Sequence, residues 1–106
     1  MKVINKTNNL YQAILALKTQ VEAQRFFRDL LTESEIKEFA NRWTVAQMLD
    51  KKVQYEVIEK ETGMSSTTIA RISKWLNDGM GGYQLMLKRI NNKTNTNHAH
   101  IRLKAV

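Results

Sequence analysis

Four consecutive hydroxyl side chains, Ser65, Ser66, Thr67 and Thr68, stand ahead of Arg71 and Lys74 in the stretch ETGMSSTTIARISKWL, residues 61–76. Short hydroxyls let a helix approach a polynucleotide closely, bond phosphate or base edges, and in threonine offer a methyl to thymine. Backbone N–H groups at a helix start favour a phosphate. Arg71 suits a phosphate or a guanine edge, and Lys74 suits a phosphate. Thr67, Arg71 and Lys74 are spaced by four and three residues, which lines them along one helical stripe. The pattern fits a helix-turn-helix whose second helix enters the major groove. Gln54 and Tyr55, at the start of the motif's first helix, complete the candidate DNA-binding set.

A plainer reading uses the same residues. Ser65 and Ser66 make an ordinary N-cap, and a helical hairpin needs a glycine for geometry alone. Glu56 and Glu59 also precede the turn, on a helix that in part faces phosphate, where a carboxylate is repulsive unless neutralised by Lys60, Lys52 or Arg71. Spacing by itself leaves both readings open.

The elements that would position these groups are helical. The chain has no proline and only four glycines, and apolar residues recur at three- and four-residue intervals. Leu10, Ile14 and Leu17 mark one face of a first helix. TQVE at 19–22 is a capping-box pattern opening a second helix with Val21, Phe26, Phe27 and Leu30. TESE at 32–35 repeats it and opens a third, where Ile36, Phe39, Ala40, Trp43, Ala46 and Leu49 keep a helical period. That helix is expected to fray near 50–54. A fourth helix over 54–61 turns Tyr55 and Ile58 inward, and Gly63 supplies the left-handed angle that ends it. The fifth runs from a Ser65 or Ser66 cap to about Leu76, anchored by Ile69 and Ile72. DGMGG at 78–82 is a loop, and 83–90 is a sixth helix with Leu85, Met86 and Ile90 for packing. Met48, Met64, Met80 and Met86 read as packing residues. The fold class is therefore all-α, with about six helices in one domain over 1–92, a helix-turn-helix over about 54–76, and a flexible polar and basic tail over 93–106.

Composition narrows the function classes. Without cysteine there are no disulfides and no thiolate ligands or nucleophiles, as in a reducing cytoplasm. His98 and His100 fall two apart, off a common helical face, so no metal or cofactor site is assigned. No carboxylate pair is placed for acid–base work, and an enzyme is not the expectation. MKVINKTNNLYQ has no apolar core of a signal peptide, and no apolar run nears the ~20 residues that span a bilayer, so no membrane partner is expected. The net charge is +7, but residues 1–61 balance to +1; the excess lies in and after the hydroxyl-bearing stretch, where a polyanion needs it.

From Leu10 to about Ile90 the chain resembles the Trp repressor superfamily, specifically its YerC/YecD-type Trp-repressor-like branch. The stretches that carry the likeness are LYQAILALKT with RFFRDLLTESEI, FANRWTVAQML, ETGMSSTTIARISKWLN and GMGGYQLMLKRI, in order and with spacing preserved. The resemblance implies an intertwined homodimer that binds double-stranded DNA through two helix-turn-helix heads. It also tolerates a charge at Glu59. Arg42 and Arg71 match the two arginines that hold tryptophan in Trp repressor. Ile72 replaces a space-making glycine and Trp75 a ligand-contacting serine, which implies a blocked tryptophan site and no assigned small-molecule effector. The alternative is a helical protein-interaction module that keeps the fold without reading an operator.

Overall fold

Each helix starts where the sequence offers a cap and stops where the backbone can turn. The computed structural model describes the backbone of residues 5–105 and the side chains of residues 5–93. Within it six helices and no strand follow one another: α1 (Lys6–Ala16), α2 (Gln20–Leu30), α3 (Glu33–Asp50), α4 (Tyr55–Thr62), α5 (Ser66–Asp78) and α6 (Gly82–Ala105). The chain divides into two units, 1–39 and 40–106, with α3 running across the boundary.

In the first unit both threonines cap as the sequence leads one to expect, but only the second of the two capping boxes closes. Thr19 Oγ1 accepts from the Glu22 N–H at 3.1 Å, while Glu22 Oε1 accepts from the Lys18 N–H at 2.9 Å, one residue further back than a capping box requires. At α3 the box is reciprocal. Thr32 Oγ1 accepts from the Glu35 N–H at 3.1 Å, and Glu35 Oε1 accepts from the Thr32 N–H at 2.9 Å. That N–H, and after it the Thr32 hydroxyl, hold the Glu35 carboxyl below the usual carboxylate range. A depressed folded pKa contributes stability above the unfolded pKa and loses it as pH falls through the folded value. The start of α3 is therefore expected to weaken as pH drops from the ordinary glutamate range to below it. Melting temperatures measured across that acid range should show this step in the native protein and lack it in Glu35→Gln.

Neither α1 nor α2 buries a single residue. Leu15 is 84% exposed and Val21 60%, so the apolar faces of both helices stand open. Phe26 and Phe27 meet edge to face at 5.6 Å. The Arg28–Glu33 ion pair, 3.4 Å with both side chains mostly exposed, adds little.

The second unit holds the core. Val45, Ala46, Ile58 and Ile69 are fully buried, with Met64 and Ile72 nearly so, and Trp43, Met48, Leu49, Val53 and Tyr83 pack against them. Ile58 comes from α4 and Ile69 and Ile72 from α5, which locks the two helices of the motif together. Trp43 stacks on Tyr83 at 6.4 Å, joining α3 to α6. Gln84 Nε2 donates to the Leu76 carbonyl at 2.7 Å, joining α6 to α5.

Three expectations change, and the end of α3 gains a geometry. The helix stops at Asp50, within the 50–54 stretch where the sequence predicts fraying. It ends in a left-handed turn at Lys52 (φ 63°), with the Lys52 N–H donating to the Leu49 carbonyl and the Val53 N–H to the Met48 carbonyl, each at 3.0 Å. Tyr55 is exposed rather than inward, because it sits at the first position of α4 and Ile58 takes the core place. Met80 is 94% exposed, since the loop between α5 and α6 carries it outward; Met86 is 42% exposed, and only Met48 and Met64 pack into the core. The sixth helix, expected over 83–90, runs on to Ala105 because NNKTNTNHAH contains no glycine or proline to stop it. The side chains of residues 94–106, His98 and His100 among them, lie outside the described residues, as does the expectation of a flexible tail.

Candidate nucleic-acid interface

The turn between α4 and α5 is built by three neighbours. Gly63 adopts the left-handed conformation (φ 71°, ψ 7°) and donates its N–H to the Glu59 carbonyl at 2.8 Å. A side chain there would be strained even though the space around it is open. Thr62 is buried, and its hydroxyl donates to the Ile58 carbonyl at 2.7 Å while accepting from the Met64 N–H at 3.2 Å. One hydroxyl thus satisfies groups on both sides of the corner. Thr62 was not among the candidates; a hydroxyl directly before the turn glycine was the available signal.

The hydroxyl run splits by task. Ser65 caps α5, its Oγ accepting from the Thr68 N–H at 3.2 Å, and the two hydroxyls share a further bond at 3.0 Å. Ser65 and Thr68 therefore hold the helix start together. Ser66 and Thr67 are exposed, as are Arg71 and Lys74. Thr67, Arg71 and Lys74 line one open groove of about 610 Å³ along α5, shared with Ala70, Trp75 and Asp78. The sequence spacing thus corresponds to a real surface, cationic at two positions and hydroxylated at its N-terminal end. Gln54 and Tyr55 are exposed at the N-terminus of α4; they belong to the same motif but not to this groove, and the Gln54 side chain makes no capping bond. Glu56 is exposed and Glu59 half-buried, and neither forms an ion pair with Lys52, Lys60 or Arg71 among the described residues.

The residues matched to a tryptophan pocket also separate. Ile72 is 5% exposed and belongs to the core. Trp75 is 57% exposed and forms the wall between two grooves. On one side lies the Arg71 groove. On the other lies an open groove of about 600 Å³ where Trp75 stands with Arg42, Trp43, Tyr83 and Met86. The two arginines therefore line different grooves. Gly79 makes the indole's position possible, since a Cβ at this residue would fall 2.8 Å from Trp75 Cε3 and collide with the Trp75 carbonyl oxygen.

Among the described residues no group of three histidines, cysteines or acids is placed to hold a metal, and no helix is long and apolar enough to cross a membrane. Residues 5–91 match the sequence model of the family described as Trp repressor protein. The uncharacterised protein YerC of Bacillus subtilis (strain 168) is 43% identical over 83 residues, 78% of this chain and 80% of that relative. A TrpR-like protein from Eubacterium eligens has a similar solved structure, with a TM-score of 0.80 and 39% identity, covering 83% of this chain and 91% of that one. A candidate Trp repressor from Staphylococcus aureus gives a TM-score of 0.78 at 36% identity, covering 84% and 89%.

Proposed function

Because the chain belongs to the Trp repressor family, we propose that it is a cytoplasmic transcriptional regulator, a repressor by family likeness, that binds double-stranded DNA sequence-specifically as a homodimer through α4 and α5. The observation that carries the reading is the exposed stripe of Thr67, Arg71 and Lys74 on a helix fixed from behind by Ile69 and Ile72. Arg71 and Lys74 neutralise phosphates, while Thr67 and Ser66 stand near the N-terminal end that meets base edges. Gln54 and Tyr55 supply backbone contacts from the start of α4.

Dimerisation is supported by the first unit. Two helices with apolar faces and no buried residue leave exposed surface that a second copy would cover, as an intertwined dimer does. Regulation without tryptophan is supported by the separation of Arg42 from Arg71: with Trp75 as the wall between their grooves, the pair does not line one ligand site.

The half-buried Glu59, the exposed Glu56, and the Trp75 indole with Asp78 in the α5 groove favour a second reading, a protein-interaction module without operator recognition. Selection from a random duplex pool separates the two. An enriched two-fold symmetric motif, equal with and without added tryptophan, is the expected outcome. No enrichment supports the interaction module, and enrichment only with tryptophan overturns the ligand-independent reading.

A further inference from the structure

A third cavity, of about 410 Å³, lies where the C-terminal end of α3 meets α5 and α6. Its α5 wall carries Ser73 and Asn77, four residues apart; Trp75, two from each, faces the opposite flank. The cavity is thus separate from both grooves described above. Leu49, Leu76 and Leu87 give it an apolar floor, the last two buried. Lys52 and Lys88 line it from different elements, and the Ser73 hydroxyl and the second amide hydrogen of Asn91 add neutral donors, while Asn77 Nδ2 already donates to the Ser73 carbonyl at 2.9 Å and leaves its Oδ1 to accept. Its size falls within the ~300–1,000 Å³ common for small-molecule sites.

The charges suit an anion. Neither Lys52 nor Lys88 lies within ion-pair distance of a carboxylate among the described residues. Asp50, the one acid in the lining, has an Oδ2 that accepts from Asn91 Nδ2 at 3.3 Å, and its remaining oxygen can take a hydroxyl of a ligand.

Lys52 supplies an independent argument. It is the only non-glycine residue at positive φ among the described residues, and it occupies the position after α3 where glycine is the usual choice. A strained position that keeps a long cationic side chain points to a use for that side chain. The geometry points to a binding site for a small hydroxylated anion, its phosphate or carboxylate held between Lys52 and Lys88 and its hydroxyls facing Asp50 and Asn77. Binding here does not depend on the DNA-binding reading, although α5 is a wall of the cavity.

The test is amide NMR titration of the full chain with ribose 5-phosphate and, separately, with citrate, each against chloride at matched ionic strength. The expected result is saturable shifts concentrated in residues 49–53, 73–77 and 84–91 with at least one of the two, and which one responds identifies the anionic group. Lys88→Ala should weaken that binding about tenfold, the loss of one charge-assisted contact. Lys52→Gly should weaken it similarly while keeping or raising the melting temperature, because glycine relieves the left-handed strain; a merely structural Lys52 would give the stability change without the loss of binding. Shifts that do not saturate, that match chloride, or that survive both substitutions overturn the proposal. So does a response of these amides to a short DNA duplex but to neither small anion, which would make the lysines backbone contacts and leave the DNA-binding reading standing.

Discussion

The Arg71→Ala/Lys74→Ala variant is expected to bind duplex DNA at least about 100-fold more weakly than the native protein in low salt, at any sequence. Both side chains are exposed on the outward stripe of α5. Each that neutralises a phosphate releases counterions, so its removal flattens the salt dependence by roughly 0.9 of a log unit per log of salt. Two such contacts per protomer in a dimer reduce the slope by roughly 3–4. The fold should not register the change, because surface substitutions away from caps and core stay within about 0.5 kcal/mol. Thermal unfolding of the same preparation is thus the internal control. Thr67→Val in parallel should leave the salt slope intact and change sequence preference, since the threonine hydroxyl stands at the N-terminal end of the stripe, the end proposed to meet base edges, and carries no charge. Unchanged affinity in the double variant would place the DNA face elsewhere and remove the observation on which the functional reading rests.

What the sequence disclosed about this surface is what short-range physics determines. The Thr32–Glu35 box, the left-handed Gly63 and the inward pair Ile69 and Ile72 depend on residues within four positions of one another, and all three stand in the structure as read. The end of α3 was legible from the charges at 50–54, but its geometry was not, because the left-handed residue is Lys52, where glycine would have announced the turn. The hydroxyl run was legible as a helix start but not in its division of labour. Only the distances show that Ser65 and Thr68 bond each other while Ser66 and Thr67 remain exposed. Ile72 and Trp75 lie only about 60° apart around α5, so their spacing did not disclose that one enters the core while the other stands at the wall of a groove. That groove, and the lysine-lined cavity on the opposite flank, are assembled with residues of α3 and α6 far away in the chain, where no local pattern reports them.

Ile69→Ala should show the reverse of the charge variant: a large loss of stability, with duplex binding lost only as a consequence. Ile69 is fully buried in the core that α5 shares with Ile58 of α4 and Val45 and Ala46 of α3. Truncation removes three carbons from a packed site and leaves a cavity, at a cost of about 2–5 kcal/mol against a total of roughly 5–15 for a typical domain. Ile69→Val should cost only about 0.5–1.5 kcal/mol, so the series distinguishes a packing effect from a general intolerance of substitution. Because a dimer's stability depends on protomer concentration, all three proteins are compared at one concentration by chemical unfolding, with duplex binding measured at a temperature where each is folded. Under those conditions Ile69→Val should bind nearly as well as the native protein with an unchanged salt slope, because Arg71 and Lys74 are still presented. If instead Ile69→Ala unfolds as easily as the native chain does, α5 is not held by this core, and its outward stripe is not a preformed surface for DNA.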